Sequence, residues 1–161
     1  MAYIYPAPGV ADAEATLTVK IFDPAISDTA GYILPALQDV TVNAANDVFT
    51  WTQLDSGSKQ QIATTATNSL SMNIVLDQTA FFGDGAATPT GGAENKGIWG
   101  LSGDKSLVVF DLYLGDESTG GVGKTISGVG YITGLAPTVS ADSPVWISPI
   151  TITVTGDYTI A

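Results

Sequence analysis

"GDESTGGVGKTISGVG", residues 115–130, decides between two folds. It sets Gly123-Lys124-Thr125 behind the apolar segment Leu107 to Leu114, the order in which a strand enters the phosphate loop of an α/β nucleotide hydrolase. That loop needs Gly-x4-Gly-Lys-Ser/Thr, which asks for glycine at 118, where Ser118 stands. The deviant form that begins with lysine fails as well, because its place is taken by Thr119. The phosphates are held by the amides of a helix starting at the Lys-Thr pair. Here the chain continues "ISGVGYITG", whose two early glycines and β-branched residues read as a strand. Residues 115–124 are therefore expected to form a hairpin turn between two antiparallel strands, with glycine supplying positive φ.

The same period of two runs outward from this hairpin. "ATLTVKIF" (15–22) sets Leu17, Val19 and Ile21 against Thr16, Thr18 and Lys20. "VFTWTQL" (48–54) sets Phe49, Trp51 and Gln53 against Val48, Thr50 and Thr52. "NSLSMNIVLD" (68–77) is the clearest case, with Leu70, Met72, Ile74 and Leu76 opposite Ser69, Ser71, Asn73 and Asp77. "KSLVVFDLYL" (105–114) is apolar on both faces apart from Asp111, as a central strand would be. "VWISPITITVTGDYT" (145–159) alternates Ile150, Ile152 and Val154 with Thr151, Thr153 and Thr155. Two short helices are expected, around 78–83 and over 93–103, both interrupted or ended by glycine. The polar segment 83–95 reads as a loop, and 24–38 as irregular around Pro24 and Pro35. The fold expected is mainly β: one domain over 1–161, a sandwich of two sheets with a short helix and long loops, preceded by an N-terminal arm at 1–14.

Composition narrows the chemistry. The chain of 161 residues has no Cys, no His and no Arg, and its cations are five lysines. Thiolate, imidazole and disulfide chemistry are excluded. Sixteen carboxylates, thirteen of them Asp, leave a net charge of −11, which repels nucleic acid and anionic membrane. Yet only 13% of residues are charged and mean hydropathy is +0.26, whereas a free-standing surface usually carries roughly 25–35% charge. Burial of much of the surface against copies of itself would account for this; so would a weakly charged β domain. "MAYIYPAPGV" is not a secretory leader, and no apolar run approaches the ~20 residues of a membrane helix, so a soluble, non-exported chain is expected.

Other chemistry finds little footing. Asp116-Glu117 sits in the glycine-rich turn, where solvated acids belong. Asp111, within an apolar strand, reads as a polar-face position before a catalytic one. "DPAISD" (23–28) and "GDG" (83–85) lack the ligand spacing of an EF-hand. Trp51, Trp99 and Trp146 are scattered over three segments, which favours core packing or interface burial over a sugar platform. No enzyme, metal or cofactor is expected.

With the strands placed, the run "NSLSMNIVLDQTAFFG", then "NKGIWGLSGDKSLVVFDLYLGD", then "KTISGVGYITGLAPTVSADSPVWISPITITVTGDYT" resembles the major tail proteins of long-tailed bacteriophages, the tail-tube family. The similarity covers about residues 60–159 and rests on the order of strands, helix and closing hairpin rather than on a catalytic signature. The resemblance implies hexameric rings stacked into a hollow tube. One sheet of each subunit would contribute to a large β-barrel around the channel, and a long loop or hairpin would reach the neighbouring ring. It also implies a tape-measure protein and tail terminator or tip proteins as partners. DNA would pass without specific binding, no membrane would be engaged, and the chain would be made in the host cytoplasm and end in the virion tail. Carried onto this chain, the channel-facing candidates are Ser69, Ser71, Asn73, Asp77, Thr151, Thr153 and Thr155. The inter-ring arm is either 53–61, with Asp55, Lys59, Gln60 and Gln61, or the loop 83–95. The alternative is a carbohydrate- or receptor-binding β-sandwich, such as a tail fibre or capsid decoration domain.

Overall fold

The computed structural model describes residues 16–22, 32–34, 37–52, 57–64, 67–83, 93–115 and 123–161. The strands in chain order are β1 (Thr16–Ile21), β2 (Tyr32–Ile33), β3 (Leu37–Ala45), β4 (Val48–Thr52), β5 (Lys59–Ala63) and β6 (Thr67–Val75). After the helices α1 (Gln78–Phe82) and α2 (Ala93–Gly103) come β7 (Leu107–Leu114), β8 (Lys124–Thr133), β9 (Thr138–Ser140), β10 (Ser143–Val154) and β11 (Thr159–Ile160). Nine strands form one antiparallel sheet in the order β2-β1-β7-β8-β10-β6-β3, with β9 beside β10 and β11 beside β8. The other two, β4 and β5, form a separate two-stranded sheet.

Alternation in the sequence becomes two faces of the large sheet. Leu17 and Val19 of β1, Leu70, Met72 and Ile74 of β6, Val108, Phe110 and Leu112 of β7, Ile132 of β8 and Ile150, Ile152 and Val154 of β10 are buried in one core. Phe81 of α1 and Ile98 and Leu101 of α2 belong to that core, so the helices lie on the apolar face of the sheet. β7 pairs with β1 on one side and β8 on the other, the interior place its apolar sequence calls for. β7 and β8 run antiparallel from Leu107↔Tyr131 to Leu114↔Lys124, so the segment between them joins antiparallel strands as expected. Lys124 opens a strand rather than a helix, which removes the nucleotide-loop geometry.

Two glycines carry this packing. Gly128 lies opposite Phe110, and a Cβ there would come within 2.6 Å of the ring; without one, the ring covers the strand. Gly97 has φ 62 at the kink of α2, and a Cβ there would stand 2.3 Å from the backbone nitrogen of Gly83. α1 and α2 meet there backbone to backbone, which any larger residue would force apart. α2 ends in a Schellman turn, with Lys105 N–H donating to the Ser102 carbonyl and Ser106 N–H to that of Leu101. Lys105 occupies the left-handed position of that turn, at φ 54.

The structure adjusts four expectations. β6 ends at Val75, so Asp77 leaves the strand and caps α1, accepting hydrogen bonds from the amides of Thr79 and Ala80. Residues 37–45, partly within the stretch read as irregular, form the nine-residue strand β3. Lys59, Gln60 and Gln61, read from the sequence only as part of a polar segment, form the start of strand β5. Core packing holds for none of the three tryptophans: Trp51, Trp99 and Trp146 are exposed on β4, α2 and β10. Residues 1–14, the acids of 23–28, Asp55, the loop 84–92 and the pair Asp116-Glu117 lie outside the described residues.

Candidate functional site: a polar sheet face and an apolar arm

The face of the large sheet opposite the core is built from the polar half of each alternation. Register aligns it into rows. Thr151 stands between Ser71 and Thr133, and Thr153 between Ser69 and Tyr131. Beyond β6, Ser71 faces Thr41 of β3 and Ser69 faces Asn43. Asn73 stands between Pro149 and Asp39. Ser69, Ser71, Asn73, Thr151 and Thr153 are thus brought together on rows that cross β3, β6 and β10, two of them reaching β8. Thr155 follows β10 and donates its amide to the Val129 carbonyl, at the margin. Asp77 sits apart from the rows, on the helix cap.

Hydrogen bonds tie the face laterally. Asn73 Nδ2 donates to both carboxylate oxygens of Asp39, at 3.0 and 2.9 Å. The Thr133 and Thr153 hydroxyls meet at 3.2 Å. Asp39 is the one charged side chain among these rows. On the other flank Asp111 accepts from Ser127 Oγ at 2.6 Å, with Lys20 Nζ 3.8 Å away. Asp111 is therefore the polar-face position its sequence suggests. Among the described residues no cluster of three or more His, Cys, Asp or Glu side chains is placed to hold a metal. The rows of this face offer mainly hydroxyls and amides.

The second feature is the hairpin β4–β5. It continues the β3/β6 pair beyond Ala45↔Thr67 and pairs only with itself, from Val48↔Ala63 to Thr52↔Lys59. On the outgoing side, the seven residues from 46 to Thr52, at about 3.3 Å per residue, give it a reach of roughly 20 Å. Its apolar residues have no cover: Phe49 is 59% exposed and Ile62 56%, and Phe49 stacks on Trp51 with ring centroids 5.9 Å apart. Lys59, Gln60 and Gln61 face Thr52, Trp51 and Thr50 across the ladder. The sequence placed a candidate arm at 53–61 and gave Trp51 core packing or interface burial; the structure leaves Phe49 and Trp51 exposed on the hairpin.

No protein-family model matches the chain, and no curated protein matches it in sequence. Solved structures do match in fold. The chain is similar to the tail of an empty gene transfer agent particle refined with C6 symmetry, at TM-score 0.59 and 12% identity, covering 96% of this chain and 99% of the other. It is similar to the SPP1 tail tube at TM-score 0.63 and 14% identity, covering 95% and 78%. It is also similar to a chain of an extracellular contractile injection system, the PVC sheath–tube complex, at TM-score 0.55 and 12% identity, covering 98% and 92%. The fold described above is thus, as a whole, a phage tail-tube fold.

Proposed function

We propose that this chain is the structural subunit of a phage tail tube, assembling as stacked hexameric rings into a conduit for genome delivery and doing no chemistry of its own. The observation that carries this reading is the edge strand β3. It is nine residues long, among the described residues it has a partner on one side only, and it lies beside the polar rows. A long open edge invites pairing with another chain, and closing six sheets into one barrel removes it. The wall inside such a barrel is the hydroxyl and amide face of Ser69, Ser71, Asn73, Thr151 and Thr153, with Thr155 at its margin. Asp77, on the helix cap, is left out of that wall.

The charge suits a duct for DNA. Six copies at −11 each, without a single arginine, give a phosphate backbone little to grip. At physiological salt this repulsion reaches only ~8 Å, so it acts at the wall and not across a wide bore. The hairpin β4–β5 serves as the arm to the next ring. A tape-measure protein and terminator or tip proteins are the partners at and between the tube's ends, and the assembled location is the virion tail.

Negative-stain imaging of the purified, concentrated chain tests this. Hollow tubes or six-membered rings are expected. A stable monomer or trimer that binds glycan contradicts the reading and favours a receptor-binding sandwich.

A further inference from the structure

A second apolar patch lies at the other end of β6. Leu76, Gln78, Phe82, Pro137 and Trp146 line an open cleft of about 480 Å³. Its rim is aromatic and uncovered, with Phe82 54% and Trp146 53% exposed. Val139 and Val145 nearby are exposed too. The cleft is fixed to the sheet by β6 and β10: Leu76 N–H donates to the Trp146 carbonyl at 2.8 Å, directly after the pair Ile147↔Val75.

We propose that this cleft is the receptor for the arm of a second copy of this chain, taking up Trp51 and Phe49. The proposal rests on the tube reading and names the partner surface within it. Three observations carry it. First, arm and cleft stand at opposite ends of one strand. The arm leaves from Thr67 and the cleft begins at Leu76, so the nine residues of β6 hold them about 30 Å apart. The arm projects away from the cleft, so a chain cannot fill its own; a copy displaced along the strand direction can. Second, the shapes are complementary and unlike. A projecting two-stranded arm and a concave cleft make a head-to-tail contact, the kind that repeats along an axis instead of closing a dimer.

Third, the area fits a repeated contact. Half-exposed aromatic residues leave on the order of 100 Å² each to cover, so the two patches hold several hundred Å² of apolar surface. That is less than the ~1,200 Å² at which free-standing specific interfaces begin. One arm in one cleft is therefore weak alone and becomes stable when repeated around a ring. Lys59 at the arm's outer end adds one cation to meet Asp77, beside the cleft, or Asp142 on the strand turn above it.

The absence of cysteine makes the test clean. Thr52→Cys and Gln78→Cys proteins are prepared separately, then treated with a short bismaleimide alone and mixed, at the concentration used for imaging. Both positions are exposed, so folding is spared. A cross-linked dimer in the mixture only, joining one peptide of each kind, is expected. Adding Trp146→Ala to the Gln78→Cys protein should abolish it while leaving the melting curve unchanged. A dimer in Thr52→Cys alone, or none in the mixture, overturns the proposal. Images of wild-type chain keep the two readings apart. Tubes without the mixed dimer sink the docking site and spare the tube, and the mixed dimer without tubes does the reverse.

Discussion

Tyr158 joins parts of the sheet that are remote in the chain. Its hydroxyl lies 2.8 Å from the carbonyl oxygens of both Asn43 on β3 and Ser69 on β6, and its ring meets Phe110 of β7 edge-on at 6.4 Å. Asn68 makes a parallel tie, donating from Nδ2 to the Gly156 carbonyl at 2.8 Å. Burial raises the Tyr158 pKa above its ordinary 10.0, against the lowering pull of its bond to Ser69. The unfolded chain therefore loses this proton first. The stabilisation is whole below pH 10.0 and is lost as pH rises through the higher folded value. Tyr158→Phe should cost about 1–2 kcal/mol at neutral pH, through loss of the one hydroxyl donor that the Asn43 and Ser69 carbonyls share. The variant's stability should also fall less steeply above that pH than the wild type's. Urea melts from pH 7 to 11 check both, and an equally steep alkaline fall in the variant would remove Tyr158 from the explanation.

At the scale of elements, the arm is built without the core. Its residues are exposed on both faces and it shares no ladder with the large sheet. Replacing Phe49 and Trp51 together by Ser should therefore change folding stability by no more than about 0.5 kcal/mol. The same variant should fail to form tubes. Thermal melts and negative-stain images of one preparation give both results; a collapsed melt would mean that the arm belongs to the fold.

The elements also show how far sequence carries. Strands that alternate Leu, Ile and Val with Thr and Ser were legible, because one face is buried and period two records it. The β3 strand was not, because Asp39, Asn43 and two alanines dilute its signal to Val40 and Val42. With β3 went the outer side of the polar face. The pairing Thr151↔Ser71↔Thr41 depends on register between strands far apart in sequence, which periodicity within one strand cannot supply. Of the two readings of Trp51, core packing or interface burial, the structure removes the first: its alternation is that of a half-buried strand, yet it stands exposed on β4.

The whole molecule resolves the puzzle of composition. Only 13% of residues are charged, and the described residues include an open strand edge, an apolar arm and an apolar cleft. In the assembly proposed above, each would be covered by another copy: pairing along β3 would close a ring, and arm-in-cleft contacts would stack the rings. The polar rows would then face the bore, with Asp39 their one charge and the Lys20–Asp111 pair on the flank of the same face.

The most direct measurement is a cryo-EM reconstruction of tubes assembled from the purified chain. The expected map has six subunits per ring, β3 paired with a neighbour's edge, and Ser71 and Thr151 facing the bore. A tube whose bore is lined by the helices α1 and α2, or a chain that stays monomeric with β3 open to solvent, would contradict it.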